Sequence, residues 1–263
     1  MAGPPWRYSN SGPRSGAFNM ALDEAVARRM QEGEGRPLLR LYRWSPWAIS
    51  LGHHQSEDDL AAAACRAEGI DIVRRPTGGR AILHAEELTY CVVMPAGRRG
   101  ILQVYNEIST ALVQGLREFG VDVALQKSQP DFAAAYRDAS SIPCFTSSAR
   151  YEIEWNGRKL VGSAQRRFGE GGRDVVLQHG SILCGAAHRR LTDYLAVGDP
   201  SVAGRIRRDM AAKTVDLREI TGSEVEWEEL ARCIRHGFEA AWGVVFEECV
   251  PEEAEGLDRS SIV

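Results

Sequence analysis

The sequence predicts a single α+β domain, and three observations carry that prediction. Its 263 residues are 44% hydrophobic and 26% charged, the balance of a globular chain long enough to bury one full core. Short runs that alternate or stay apolar, such as Leu88 to Met94 and Asp174 to Leu183, read as strands. Longer segments with apolar residues at helical spacing, such as Ile101 to Phe119, read as amphipathic helices.

In chain order, Phe18, Leu22, Ala25 and Val26 recur at helical spacing behind the candidate N-cap Ser15, predicting a helix over Gly16 to Met30. The polar groups from Asn19 to Glu24 read as its solvated face. PLLRLYRW and WAISLG predict two short strands separated by Ser45-Pro46, and an Ala-rich helix over Glu57 to Glu68 leads to a strand over Ile70 to Arg74. RRPTGGRAILH, Arg74 to His84, follows. Gly78 and Gly79 permit positive φ and close approach of backbone to a ligand, while two arginines and a histidine supply donors for a carbonyl or a phosphate. Taken alone, this reads first as a hairpin loop with exposed charges. No Gly-Lys-Ser/Thr closes it, so it is not a Walker A loop.

Beyond the Ile101 to Phe119 helix lie a strand over Val121 to Leu125 and a long polar connection, Lys127 to Ser140, that delivers the chain to Cys144. Tyr151, Ile153 and Trp155 alternate with charged residues, and Asn156-Gly157 is the dipeptide of a tight hairpin turn. In the returning strand, Lys159, Val161, Ser163 and Gln165 share one face, with Leu160, Gly162 and Ala164 on the other, where small residues suit a second backbone layer. After the FGEGG turn, Val175, Leu177, His179 and Ser181 fall on one face, and His179 alone reads as a core histidine. Thr192 to Val197, a basic helix near Ile206, a short helix near Leu217 and Glu224 to Trp242 complete a domain expected over 1–250, with a flexible acidic tail over 251–263.

Composition narrows the function. A net charge of −4 argues against wholesale nucleic-acid binding, and the arginines at 166–167, 189–190 and 205–208 read mostly as solvated faces. No apolar run approaches the roughly 20 residues of a membrane span, and MAGPPWRYSN lacks an apolar signal region, so a cytoplasmic location is expected. The six cysteines form no CxxC pair, which argues against a metal site, and a reducing compartment argues against disulfides.

Four stretches occur in order: WRYSNSGPRSGAFNMALDEAV, RRPTGGRAILHAEELTYCVV, CFTSSARYEIEWNGRKLVGSAQRR and VVLQHGSIL. Together they resemble the lipoate/biotin protein ligase superfamily, and within it the octanoyl-carrier-protein:protein octanoyltransferases that use a loop cysteine. The resemblance implies a mixed, curved β-sheet flanked by α-helices. It implies that Cys144 is the acyl-thioester nucleophile and that Lys159, fifteen residues on, depresses its pKa. It places Arg74, Arg75, Thr77, Gly78, Gly79, Arg80 and His84 around the substrate. The same holds for Gly162, Ser163, Ala164 and Gln165 of the returning strand, and for His179 and Gly180. Arg80 stands where ATP-dependent lipoate ligases usually carry a third glycine, which favours the transferase. Ala85 stands where both groups commonly carry an acid beside the loop histidine.

The implied chemistry is coherent with these residue types. A thioester donor needs no ATP and no cofactor, because attack of one thiolate on another thioester is nearly isoenergetic and transfer to an amine is downhill. An unperturbed thiol with pKa of about 8.5 is mostly protonated at neutral pH, so a neighbouring lysine raises the reactive fraction. Backbone amides near Gly162-Ser163 or the Gly78-Gly79 turn are expected to steady the oxyanion. An eight-carbon chain needs an apolar slot, worth about 5 kcal/mol for six buried methylenes. The implied partners are octanoyl-acyl carrier protein as donor and a lipoyl domain or glycine-cleavage H protein as acceptor, with the arginine clusters steering acidic partners. An ATP-dependent lipoate ligase, an octanoyl amidotransferase between lipoyl proteins and a non-catalytic acyl-binding module are the alternatives.

Overall fold

The computed structural model describes residues 5–125, 152–169 and 174–250. Cys144, the Lys127 to Ser140 connection, the turn at 170–173 and the tail at 251–263 lie outside the described residues. The chain opens with β1 (Trp6–Arg14) and α1 (Gly16–Gln31), whose first turn is capped by the Ser15 hydroxyl accepting from the Phe18 amide. Strands β2 (Leu38–Trp44) and β3 (Ala48–Leu51) follow. The helix expected over Glu57 to Glu68 is two pieces, a 3-10 turn at Glu57–Asp59 and α2 (Ala62–Ala67). Leu60 breaks it by extending to bridge Leu195. Next come β4 (Asp71–Arg74), β5 (Ile82–His84), β6 (Glu87–Pro95) and α3 (Ile101–Glu118). Strand β7 is only Ala124–Leu125, shorter than expected.

The hairpin is β8 (Ile153–Trp155) and β9 (Arg158–Phe168), turned at Asn156 and Gly157 with φ of 49° and 74°. Both central residues lie in the left-handed region that the Asn-Gly dipeptide tolerates. Strand β10 (Val175–Leu183) leads to a 3-10 segment at Ala186–Tyr194, then α4 (Pro200–Lys213), α5 (Leu217–Thr221), α6 (Trp227–Trp242) and β11 (Phe246–Glu248). Among the described residues, no helix is long and apolar enough to cross a membrane.

Eight strands form a mixed sheet in the order β11-β1-β2-β6-β10-β9-β8-β7, and β4-β3-β5 form a second, three-stranded sheet. One face of the large sheet buries Leu41, Val92, Ile108, Leu112, Val176 and Ile234 against α3 and α6. Those helices cross closely, since a Cβ on Gly237 would lie 2.3 Å from the Gly115 amide nitrogen. The opposite face packs Leu38, Val93 and Leu177 against Leu22, Val26 and Met30 of α1. Helix α1 also contacts β3 and β4, so it sits between the two sheets.

The register of the large sheet sets up the site. Tyr42, Thr89, Ser181 and Gly162 form one row across β2, β6, β10 and β9; Arg40, Cys91, His179 and Ala164 form the next row on the same face. The small residues Gly162 and Ala164 were expected to admit a second backbone layer. They instead line open space beneath α1 and the small sheet.

Candidate active site

The space between the two rows, α1 and the small sheet is a narrow pocket. Met20, Tyr42, Trp44 and Ile82 give it carbon walls, and Ser50, Arg75, His84 and His179 bring polar groups to its edge. An alkyl chain suits such walls, because burial from water is its main source of affinity.

His84 is clamped. Its ring stacks on Trp44 with centroids 3.9 Å apart and planes 9° from parallel. Nδ1 lies 2.8 Å from Oε1 of Glu87, and Nε2 lies 2.7 Å from Oγ of Ser50. A carboxylate only accepts, so Nδ1 carries a proton, and Nε2 faces the Ser50 hydroxyl. Arg75 Nη1 donates to Ser50 Oγ at 2.9 Å, which makes Arg75, Ser50, His84 and Glu87 one connected chain. Thr89 and Ser181 also donate to Glu87 Oε1, at 2.6 and 2.7 Å. Burial would raise the Glu87 carboxyl, but His84 and the two hydroxyls hold it below the usual carboxylate range. Sequence reasoning missed Glu87 by looking for an acid directly after His84; its spacing of three residues was the available signal.

His179 lines the pocket from β10. Its Nε2 lies 2.7 Å from Thr77 Oγ1, and its Nδ1 is 3.6 Å from Asp23 Oδ2. Burial lowers the His179 pKa and favours the neutral ring. The polar stretch from Asn19 is not a solvated face: Asn19 and Asp23 are buried. Arg40, wholly buried, donates to Asp23 Oδ1 at 2.8 Å and to Asn19 Oδ1 at 2.6 Å, and Tyr42 donates to Asp23 Oδ2 at 2.8 Å. Burial opposes the Asp23 charge, yet Arg40, His179 and Tyr42 keep its pKa below the ordinary value.

The Arg74 to His84 segment is more buried than an exposed hairpin loop would be. Arg75 is 2% exposed and donates to the carbonyls of Ser50, Gly78 and Arg80. Arg74 faces outward and donates to the carbonyls of Gly52 and Gln55. Gly79 has φ of 96°, and its carbonyl packs against Gly52. Thus Arg75 and His84 line the pocket, whereas Arg74, Thr77, Gly78, Gly79 and Arg80 build the turn that holds them. Gly162, Ser163, Ala164 and Gly180 line it too. A Cβ on Gly180 would lie 2.4 Å from the Gly162 carbonyl oxygen, so the strands could not keep this approach with another residue. Gln165 stands behind the wall, donating to Gln178 at 3.0 Å; Tyr90, its hydroxyl pushed up to about 12 by burial, donates to Ser163.

Lys159 is not in the pocket lining. It is 5% exposed and ion-paired with Glu152, itself 3% exposed and the first described residue after 126–151. Cys144 lies outside the described residues, so its relation to Lys159 is not part of this geometry. The other cysteines are buried, apart from the half-buried Cys249. Burial pushes the thiols of Cys91 and Cys184 far up, as for inert core residues.

The sequence profile of the lipoyl protein ligase A/B catalytic domain matches residues 15–239. An octanoyltransferase LipM of Kyrpidia tusciae is 39% identical over 97% of this chain and 94% of its own length. LipM of Bacillus subtilis is 34% identical over 92% and 88%. In fold, the chain is similar to a bipartite lipoate protein ligase of Thermoplasma acidophilum, with a TM-score of 0.77, 22% identity and coverage of 98% and 92%. A lipoate-protein ligase A bound with ATP gives 0.75, 23%, 98% and 94%. This protein therefore belongs to the lipoyl protein ligase A/B catalytic-domain family, on its octanoyltransferase branch.

Proposed function

We propose that this protein is an enzyme of lipoate biosynthesis that moves an octanoyl group from octanoyl-acyl carrier protein to a lysine of a lipoyl domain or glycine-cleavage H protein. The catalytic unit is residues 1–250. The observation that carries the reading is the near full-length match to octanoyltransferases, and the carbon-walled pocket beside His84 and His179 is consistent with it.

In this reading the Cys144 thiolate attacks the donor thioester, the carrier thiol leaves, and the acceptor lysine amine then displaces Cys144 as the amide forms. Lys159 as an ammonium favours the thiolate in the first step and gives its proton to the departing carrier thiolate, which leaves it neutral to take the amine proton in the second. Because Glu152 neutralises Lys159 where the two touch, the reading requires Lys159 to exchange Glu152 for the nucleophile during the cycle. The arginines at 166–167 and 205–208 steer acidic partners, although Arg167 already pairs with Asp174 at 3.6 Å and Arg207 with Asp193 at 2.7 Å.

The test is intact-mass analysis after incubation with octanoyl carrier protein and no ATP. An octanoyl adduct on the wild type that disappears in Cys144→Ala is expected. A wild type that stays unmodified, or that requires ATP and free acid, rejects the reading.

A further inference from the structure

We propose that Gln178, Tyr90 and Tyr105 are positioning residues for acyl transfer, a reading that rests on the pocket being the acyl site. From the face of the large sheet turned away from the pocket they fix Ser163, and through it the Gly162 to Ala164 backbone that borders the acyl group.

Tyr90, Gly180 and Ser163 form one row across β6, β10 and β9, with Val92, Gln178 and Gln165 in the next, all on the face packed by α3. Ser163 therefore borders the pocket with its backbone and turns its hydroxyl to the other side. There the hydroxyl is held. Tyr90 donates to Ser163 Oγ at 2.6 Å, Gln178 Nε2 donates to the Tyr90 hydroxyl at 3.0 Å, and Gln165 Nε2 donates to Gln178 Oε1 at 3.0 Å. A phenol has one proton, so the bond from Gln178 commits that of Tyr90 to Ser163. Tyr105 reaches over from α3 and donates to the Ser163 carbonyl oxygen at 3.2 Å. Gly180 makes room for the contact, since a Cβ there would lie 2.8 Å from both Ser163 Oγ and the Tyr90 ring.

Tyr90 and Gln178 are wholly buried on a face whose other members include Leu41, Val92, Val161 and Ile182. Apolar residues of the same shape would pack that face as well, because a buried hydrogen bond largely replaces one made to water. What a fully partnered network adds is fixed geometry. Here it converges on one residue and holds both its side chain and its peptide oxygen. That matters at a reacting centre, where a misplacement of about 1 Å can slow reaction on the order of 100-fold.

The experiment measures steady-state transfer from octanoyl carrier protein, octanoate binding by calorimetry and denaturant unfolding. It compares the full wild-type chain with Tyr90→Phe, Gln178→Met, Ser163→Ala and the double variant Tyr90→Phe with Ser163→Ala. Loss of one neutral hydrogen bond is expected to lower kcat about fivefold to tenfold in each single variant, with KM and octanoate affinity within about twofold of the wild type. The double variant should match its parents, because both remove the same bond. Should Tyr90→Phe not fold, Gln178→Met with Ser163→Ala gives the same cycle. Losses that multiply in the double variant, kcat unchanged in folded single variants, or a kcat that falls only with the unfolded fraction overturns the inference and leaves the proposed function standing. A wild type that requires ATP and free octanoate rejects the proposed function, and the same comparison on that reaction then decides the inference. A wild type that turns over neither donor overturns both.

Discussion

Glu87 accepts the Nδ1 proton of His84 at 2.8 Å across three residues of chain, from the first position of β6 to the last of β5. The acid that Ala85 does not provide is thus supplied by the next strand. In Glu87→Gln, the amide can turn either its oxygen or its NH2 toward Nδ1, so the ring's tautomer and orientation are no longer dictated. Loss of a charge-assisted bond is expected to cost about 2 kcal/mol in denaturant unfolding. Acyl transfer is expected to fall more than octanoate binding, measured as kcat against KM.

The depressed Glu87 and Asp23 carboxyls also fix the sign of acid sensitivity. A group whose folded pKa lies below its unfolded value contributes stability above the ordinary carboxylate pKa, and that contribution is lost as pH falls through the folded value. Unfolding followed from pH 6 down to pH 2 should show progressive destabilisation below about pH 4.3. Glu87→Gln should be shallower there; a slope equal to that of the wild type would remove Glu87 from this role.

Lys159→Ala is a poor probe by itself, because it removes one member of a buried ion pair, at a cost of about 3–5 kcal/mol. Lys159→Ala with Glu152→Gln is expected to recover much of that stability by thermal unfolding. If Lys159 promotes the thiolate, the pH at which Cys144 is half alkylated rises in both the single and the double variant. Recovery of a normal alkylation profile in the double variant would assign the single variant's defect to misfolding.

What was legible in the sequence was local. The β8-β9 hairpin announces itself through Asn156-Gly157 and its alternation, and α3 through its apolar stripe, because neither needs a distant partner to define its shape. Strand β1 was not anticipated: SNSGPR is polar and turn-rich, and its pairing with β2 and β11 comes from parallel neighbours, one of them more than 200 residues away. The same limit hid the far wall of the site. Asp23 on a helix reads as solvated until Arg40 arrives from β2 and Tyr42 caps it, and no feature within α1 reports that arrival. Arg75 and His84 were found as residue types, but their burial depends on Ser50 and Glu87 from other strands.

His188 gives a further pH signature, remote from the pocket. It is 2% exposed, with Nδ1 3.1 Å from the Gly185 carbonyl and Nε2 2.8 Å from Thr214 Oγ1, and burial lowers its pKa to about 4. In the unfolded chain it titrates near the usual value of about 6.5. Between these values the unfolded state binds the extra proton, so stability falls as pH drops from about 6.5 to about 4 and is unaffected by this group above that window. The shift corresponds to about 3 kcal/mol at the acid end. His188→Gln, which keeps an amide able to meet Gly185 or Thr214, should lower stability at pH 8 while flattening the dependence between pH 6.5 and pH 4. Denaturant midpoints across that range check it, and a His188→Gln curve parallel to the wild type would show that the histidine is not charging on unfolding.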